Sequence, residues 1–220
     1  DEASGKRNGG NIPYLSESKS ILAKKIKVNL DELNKIIESS RKKLFKKRKE
    51  RIHPLKDDKI LTDWNGLMIA SLAQGGIVLD NERYIREAIY AADFIQEYLQ
   101  RNDGRLVKRY RQGHSGLDPH INDYSFMIWG LINLYEATFK TIYLSRASKL
   151  TEVMIEDFYD ENGGFFIGSK NAEKLIIRAK DYYDGAIPSG NSAAIYCLFK
   201  LGKITGKRDW INIAHESLKA

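Results

Sequence analysis

The chain repeats one design three times, and that repeat restricts it to a narrow set of folds. Polar tips open apolar helices at Asp63 (Asp63-Trp64-Asn65-Gly66-Leu67-Met68), at Asp123 (Asp123-Tyr124-Ser125-Phe126-Met127-Ile128) and at Ser189 (Ser189-Gly190-Asn191-Ser192-Ala193-Ala194). The period is 60 residues from Asp63 to Asp123 and 66 from Asp123 to Ser189. A second, amphipathic helix follows each tip by about 20 residues. One helical hairpin cannot bury its own apolar face, so repeated hairpins stack into an array or a ring.

The two helices of each repeat differ in kind. The helix predicted over 63–79 carries Trp64, Leu67, Met68, Ile69, Leu72 and Ala73 on nearly every side, whereas over 81–100 Tyr84, Ala88, Ala91, Ile95 and Tyr98 recur at spacings of three and four. The pattern returns as an all-round apolar helix at 123–138 and a one-faced helix at 141–158, then as Ala193–Leu201 and the stripe of Trp210, Ile211, Ala214 and Leu218. An inner layer of buried helices and an outer layer of surface helices follows. Short strand-like pieces lie between them, at Arg105–Tyr110 and as an expected β-hairpin of Gly164–Gly168 with Leu175–Arg178.

Upstream, residues 1–28 read as an extended arm or linker whose apolar patch is Asn11–Leu15. A leading helix is predicted from about Asn29, capped by Asn29 or Asp31, to about Glu50, with His53-Pro54 beyond its end. Residues 29–220 form one incomplete toroid, because a closed ring of six such hairpins needs about 360 residues at this period. The chain is expected to be a piece of a larger protein, with partner or self contacts at its exposed hairpin edges.

The net charge of +7 suggests nucleic acid until it is located. Residues 1–50 hold 14 Lys and Arg against 7 Asp and Glu, so the remaining 170 residues are neutral with 22 of each. The excess peaks at Arg41–Lys49, which reads as a solvated helix face; no aromatic platform or recognition helix accompanies it. No apolar run is long enough to span a membrane, and no targeting segment is visible. The single cysteine, Cys197, sits in an apolar helix as core filler, and a reducing cytoplasm is the expected compartment.

Inner helices entered from one side gather their N-termini around one mouth. The tips bring Asp63, Asp123 and Asp184 as acid/base candidates. They bring Trp64, Asn65, His120, Tyr124, Arg178, Tyr183 and Asn191 as candidate ligands for a small molecule. Carboxylates among rings and amides suit a sugar: rings stack on the apolar pyranose face, amides bind hydroxyls, and paired carboxylates supply acid and base. The competing reading is structural, since Asp63, Asp123 and Asn191 also fit as N-caps. His114 and His120, six apart, lack metal-pair spacing; no metal or cofactor is expected.

The same residues carry a family resemblance. Asp57–Met68, Asp123-Tyr124 through Thr138, and Tyr183–Ser192 together resemble the thioredoxin-domain proteins related to the spermatogenesis-associated thioredoxin-like protein, over roughly residues 50–205. The resemblance implies an upstream thioredoxin-like domain and an α/α toroid similar to six-hairpin glycosidases and to N-acylglucosamine 2-epimerase. The rest of that toroid is then a further partner. It implies a glycoside hydrolase-like or sugar epimerase-like site, or else a non-catalytic helical scaffold, and the analogy lives at the level of fold. Where the family pattern has an acid before the second-tip aspartate this chain has Asn122, which removes one carboxylate from that tip.

Overall fold

The computed structural model describes residues 14–173 and 176–220. The chain divides into two compact units, Asp1–Asp57 and Asp58–Ala220.

In the first unit, helix α1 (Lys19–Lys25) packs on helix α2 (Leu30–Lys49). Asn29 caps α2, its side-chain oxygen accepting the Glu32 N–H at 2.7 Å. Helix α1 corrects the expectation of an extended arm up to residue 28. At seven residues it is too short to display a helical period, and its one buried residue is Ala23. Part of that arm, with Asn11–Pro13 of its apolar patch, lies outside the described residues.

The second unit is built of three helical hairpins. Strand β1 (Ile60–Leu61) leads into inner helix α3 (Thr62–Val78), followed by outer helix α4 (Glu82–Tyr98). Strands β2 (Arg109–Arg111) and β3 (His114–Gly116) precede inner helix α5 (Ile121–Thr138) and outer helix α6 (Thr141–Phe158). Inner helix α7 (Gly190–Thr205) and outer helix α8 (Arg208–Ser217) complete the series. Helix α5 lies between α3 and α7, and each inner helix packs on its own outer partner. The architecture is mainly α, an α/α-toroid arrangement of hairpins with a small antiparallel sheet ordered β1-β2-β3.

The first and third hairpins share a closing contact. A Cβ at Gly76 would meet Ile85 Cγ1 at 2.5 Å, and one at Gly202 would meet Ile211 Cγ1 at 2.6 Å, so the first and third hairpins close through the same small-against-branched contact. Between inner helices the backbones themselves touch. A Cβ on Gly66 would lie 2.5 Å from the Phe126 carbonyl carbon, and one on Gly130 would lie 2.8 Å from the Gly66 carbonyl oxygen. Only hydrogen fits at either place.

Helix α5 is buried along almost its whole length, as the all-round apolar pattern predicts. Helix α3 departs from it: Trp64 is 64% exposed, Met68 56% and Val78 70%. Helix α5 covers one flank of α3 and α4 another, and no further inner helix lies against α3 among the described residues. An apolar face with no neighbour stays in solvent whatever its composition.

The short strands also differ from their prediction. Arg105–Tyr110 contributes only its end to β2, which turns through Gln112 (φ 49°) and Gly113 (φ 83°) into β3. Two successive residues with positive φ form the two-residue turn that suits a twisted hairpin. Among the described residues no strand pairing joins 164–168 to 176–178. Phe165 bridges Tyr159 and Gly168 bridges His120, while Leu175 lies outside the described residues.

Gly66→Ala forces the α3 and α5 backbones apart. It is expected to destabilise the second unit by about 3 kcal/mol, the upper part of the overpacking range, read as a lowered urea midpoint at unchanged slope.

Candidate functional site

Each inner helix is stitched at its N-terminus to the chain that precedes it. At the first tip, the Thr62 N–H donates to the Lys108 carbonyl at 3.1 Å and its hydroxyl to the Val107 carbonyl at 2.6 Å. At the second, the Ile121 N–H donates to the Ile167 carbonyl at 3.0 Å. At the third, buried Asn191 accepts the Phe165 N–H at 2.7 Å and donates to the Phe165 and Asp181 carbonyls, both at 2.9 Å. Inner-helix entry thus fixes segments 105–108, 165–167 and 179–181 around the same end of the unit.

The first two tips meet in a charged cluster. Asp123 is fully buried; one carboxylate oxygen accepts the Asp63 N–H at 3.1 Å and the other the His120 N–H at 2.8 Å. The Lys108 ammonium lies 3.2 Å from Asp63 and 3.5 Å from Asp123, so one cation serves both carboxylates. Asp63 also accepts the Trp64 N–H at 2.8 Å. Neither aspartate is the N-cap residue expected from the sequence. Asp63 sits one residue inside α3, and Asp123 reaches back from the third position of α5 to the backbone of its N-cap, His120.

Burial dominates the protonation of Asp123. It pushes the carboxyl up to about 7, against the pull of Lys108 and of the two backbone donors and with the help of the neighbouring Asp63 charge. The His120 imidazole is pushed below its usual range, first by partial burial and then by Lys108. A carboxyl near neutrality is the group in this cluster suited to acid–base work, and its contact with His120 runs through that residue's backbone N–H.

His120 joins this cluster to a cavity of about 520 Å³. Asp118, His120, Lys170, Glu173 and Arg178 supply its polar lining, and Ile167 and Ile177 its apolar part. Arg178 is held in place: its guanidinium carbon lies 4.0 Å from the Phe166 ring centroid and it donates to the Gly168 carbonyl at 2.9 Å. Beneath it, buried Asp157 pairs with Arg105 at 3.0 Å and accepts Asn171 at 2.9 Å. Sequence reasoning singled out His120 and Arg178 but missed Lys108, Arg105 and Asp157. Lys108 is one of three basic residues in a short strand-like piece, and pairing across 45 residues with Asp63 has no local signature.

Other predicted site residues fall elsewhere. Asp184 is exposed and caps the third tip, accepting the Ser189 N–H at 2.7 Å and the Ser192 hydroxyl at 3.0 Å; these donors, the backbone one foremost, hold its carboxyl below the usual range. Its partners lie within its own tip, and none of them belongs to the Asp63–Lys108–Asp123 cluster. Tyr124, expected to line the mouth, is fully buried. Its ring packs on Phe158 and its hydroxyl accepts the Leu106 N–H at 3.0 Å, because the fourth side chain into α5 points to the core. Asn191 is likewise spent on backbone partners, and the cap of α7 is Ser189, which accepts the Ser192 N–H at 3.1 Å. Asn65 is half-buried and donates to the Leu61 carbonyl at 2.8 Å. Trp64 and Tyr183 remain exposed, and Cys197 is core, as expected.

Carbon-13 NMR of the Asp123 carboxyl tests this electrostatic account. A midpoint near pH 7 is expected, falling in Asp63→Asn and rising in Lys108→Met. With its folded value above the unfolded one, this group favours the folded state at acid pH, and that contribution is lost as pH rises from about 4 to 7.

No protein-family model matches the chain. Human spermatogenesis-associated protein 20 is 32% identical over 219 residues, which is 94% of this chain and 28% of the relative. Among solved structures, cellobiose 2-epimerase from Bacillus thermoamylovorans aligns with a TM-score of 0.61 at 14% identity, covering 74% of this chain and 44% of that one. A GH76 α-mannanase from Bacteroides thetaiotaomicron aligns with a TM-score of 0.57 at 18% identity, covering 76% and 46%. At such identities the structural likeness establishes the fold. The chain is a relative of spermatogenesis-associated protein 20, spans a little over a quarter of its length, and carries the α/α-toroid hairpins of six-hairpin glycosidases and cellobiose 2-epimerase.

Proposed function

We propose that this segment binds a carbohydrate-like small molecule at the N-terminal ends of its inner helices, in the cavity beside His120. The observation that carries the reading is the meeting of that cavity with the buried Asp63–Lys108–Asp123 cluster through one residue, His120. Polar groups converging on a partly apolar cavity are what a small ligand needs, and a carboxyl near neutrality is what acid–base work needs. Structural neighbours that process carbohydrates support the substrate class.

Roles divide by accessibility. His120 and Arg178 are the groups in the cavity for ligand hydroxyls or charge, and exposed Trp64 and Tyr183 offer rings for stacking at their tips. Asp63, less deeply buried than Asp123, is the carboxylate closer to solvent. Asp123 and Lys108 set its charge environment. With an ammonium shared between the two carboxylates, epimerase-like proton transfer through His120 fits better than a hydrolytic pair acting across a glycosidic bond. The remainder of the toroid and an upstream thioredoxin-like domain are the proposed partners within the full-length protein. Among the described residues no helix is long and apolar enough to cross a membrane.

The scaffold reading takes support from the backbone hydrogen bonds of every tip aspartate, and it leaves the cavity without a purpose. Calorimetric titration of the full-length protein with mono- and disaccharides and sugar acids separates the two. Binding that weakens about tenfold or more in His120→Ala and in Arg178→Ala, with unfolding midpoints kept, is expected. No binding across the panel, or binding indifferent to both substitutions, overturns the proposal.

A further inference from the structure

A second cavity, of about 320 Å³, lies away from the tips, where outer helices α4 and α6 part above inner helix α5. Its floor is core: Ile95, Leu106 and Leu131 are all buried. Its rim is cationic, with Arg101 from the loop after α4 and Arg146 and Lys149 from α6, and no carboxylate lines it. Arg101 stands 3.7 Å from Asp118 and Arg146 2.9 Å from Asp93; among the described residues no carboxylate pairs with Lys149. The Arg146 Nε is buried and lacks a hydrogen-bond acceptor, although the same guanidinium donates to Asp93 through another nitrogen.

From these features we infer that the cavity is a binding site for a small amphipathic anion, a carboxylate carried on an apolar body. The chemistry divides in two. An apolar floor in a recess gains by covering apolar surface, and the volume falls at the small end of ordinary ligand cavities. The lining holds three cations and no carboxylate, so it favours an anion: Lys149 and the part-exposed Arg146 guanidinium, with Arg101 beside them, attract a carboxylate oxygen at the rim. A neutral amphiphile would satisfy the floor and leave Arg146 unchanged; an inorganic anion would meet the rim and leave the floor wet. Only a molecule with both parts answers both features. The inference does not rest on the cavity beside His120, although Arg101 pairs with Asp118 of that cavity's lining, and the two are read out at different residues.

The test is calorimetric titration of the 220-residue chain with octanoate and, separately, with 1-octanol. Octanoate is expected to bind about tenfold more tightly than octanol, the margin of one charge-assisted hydrogen bond. Arg146→Met is expected to erase that margin, and Arg146→Lys to restore part of it. Ser145→Trp, an exposed position on the rim, is expected to weaken both ligands without touching the core. Amide NMR shifts on octanoate addition should centre on Ile95, Leu106 and Leu131. Equal affinities for the two ligands, an octanoate affinity unchanged in Arg146→Met, shifts centred on His120 and Ile167 instead, or no binding at millimolar octanoate overturns the inference.

Discussion

The Asp123 carboxylate holds the second unit together at the place where its chemistry is proposed. It is fully buried, and its two oxygens accept N–H groups from the starts of two different helices, Asp63 in α3 and His120 at the cap of α5. Unpaired helix N–H donors are costly inside a protein, and here one side chain satisfies donors on both sides of the α3–α5 contact. The close Gly66–Gly130 crossing below it is possible only at this register, and the register is fixed from above by Asp123.

Lys108 converts this brace into an electrostatic device. A carboxylate excluded from water favours its proton, a nearby ammonium disfavours it, and the balance leaves the Asp123 carboxyl near neutrality. The backbone of Lys108 is itself fixed, receiving Thr62 from α3 and donating to Leu117 beyond the β2–β3 hairpin. The small sheet therefore positions a charge between two helix tips.

The third tip uses the same strategy with different residues. Asn191 grips the backbone of Phe165 in both directions, and Asp184 and Ser189 cap α7 from outside. A carboxylate at the first two tips is replaced by an amide at the third. The proposed acid–base centre accordingly belongs to the first two tips, with segments 167–173 and 177–179 supplying a wall of the adjoining cavity.

The sequence by itself determined the hairpin repeat, the inner and outer layers and most helix limits, because apolar periodicity and capping residues are local and cooperative over many residues. It also marked Asp63, Asp123 and His120 as polar groups at helix entries, and Arg178 in a strand-like piece before the third. Tertiary structure alone decided which of these meet. Tyr124 follows Asp123 directly yet turns into the core, Asp184 remains with its own tip, and Lys108 joins two carboxylates that lie 45 and 15 residues away along the chain. Short strands and single ion pairs carry no period, and their partners come from packing. The open face of α3 shows the same limit: an apolar pattern states that a surface is fit for burial, and only the presence of a neighbouring helix buries it.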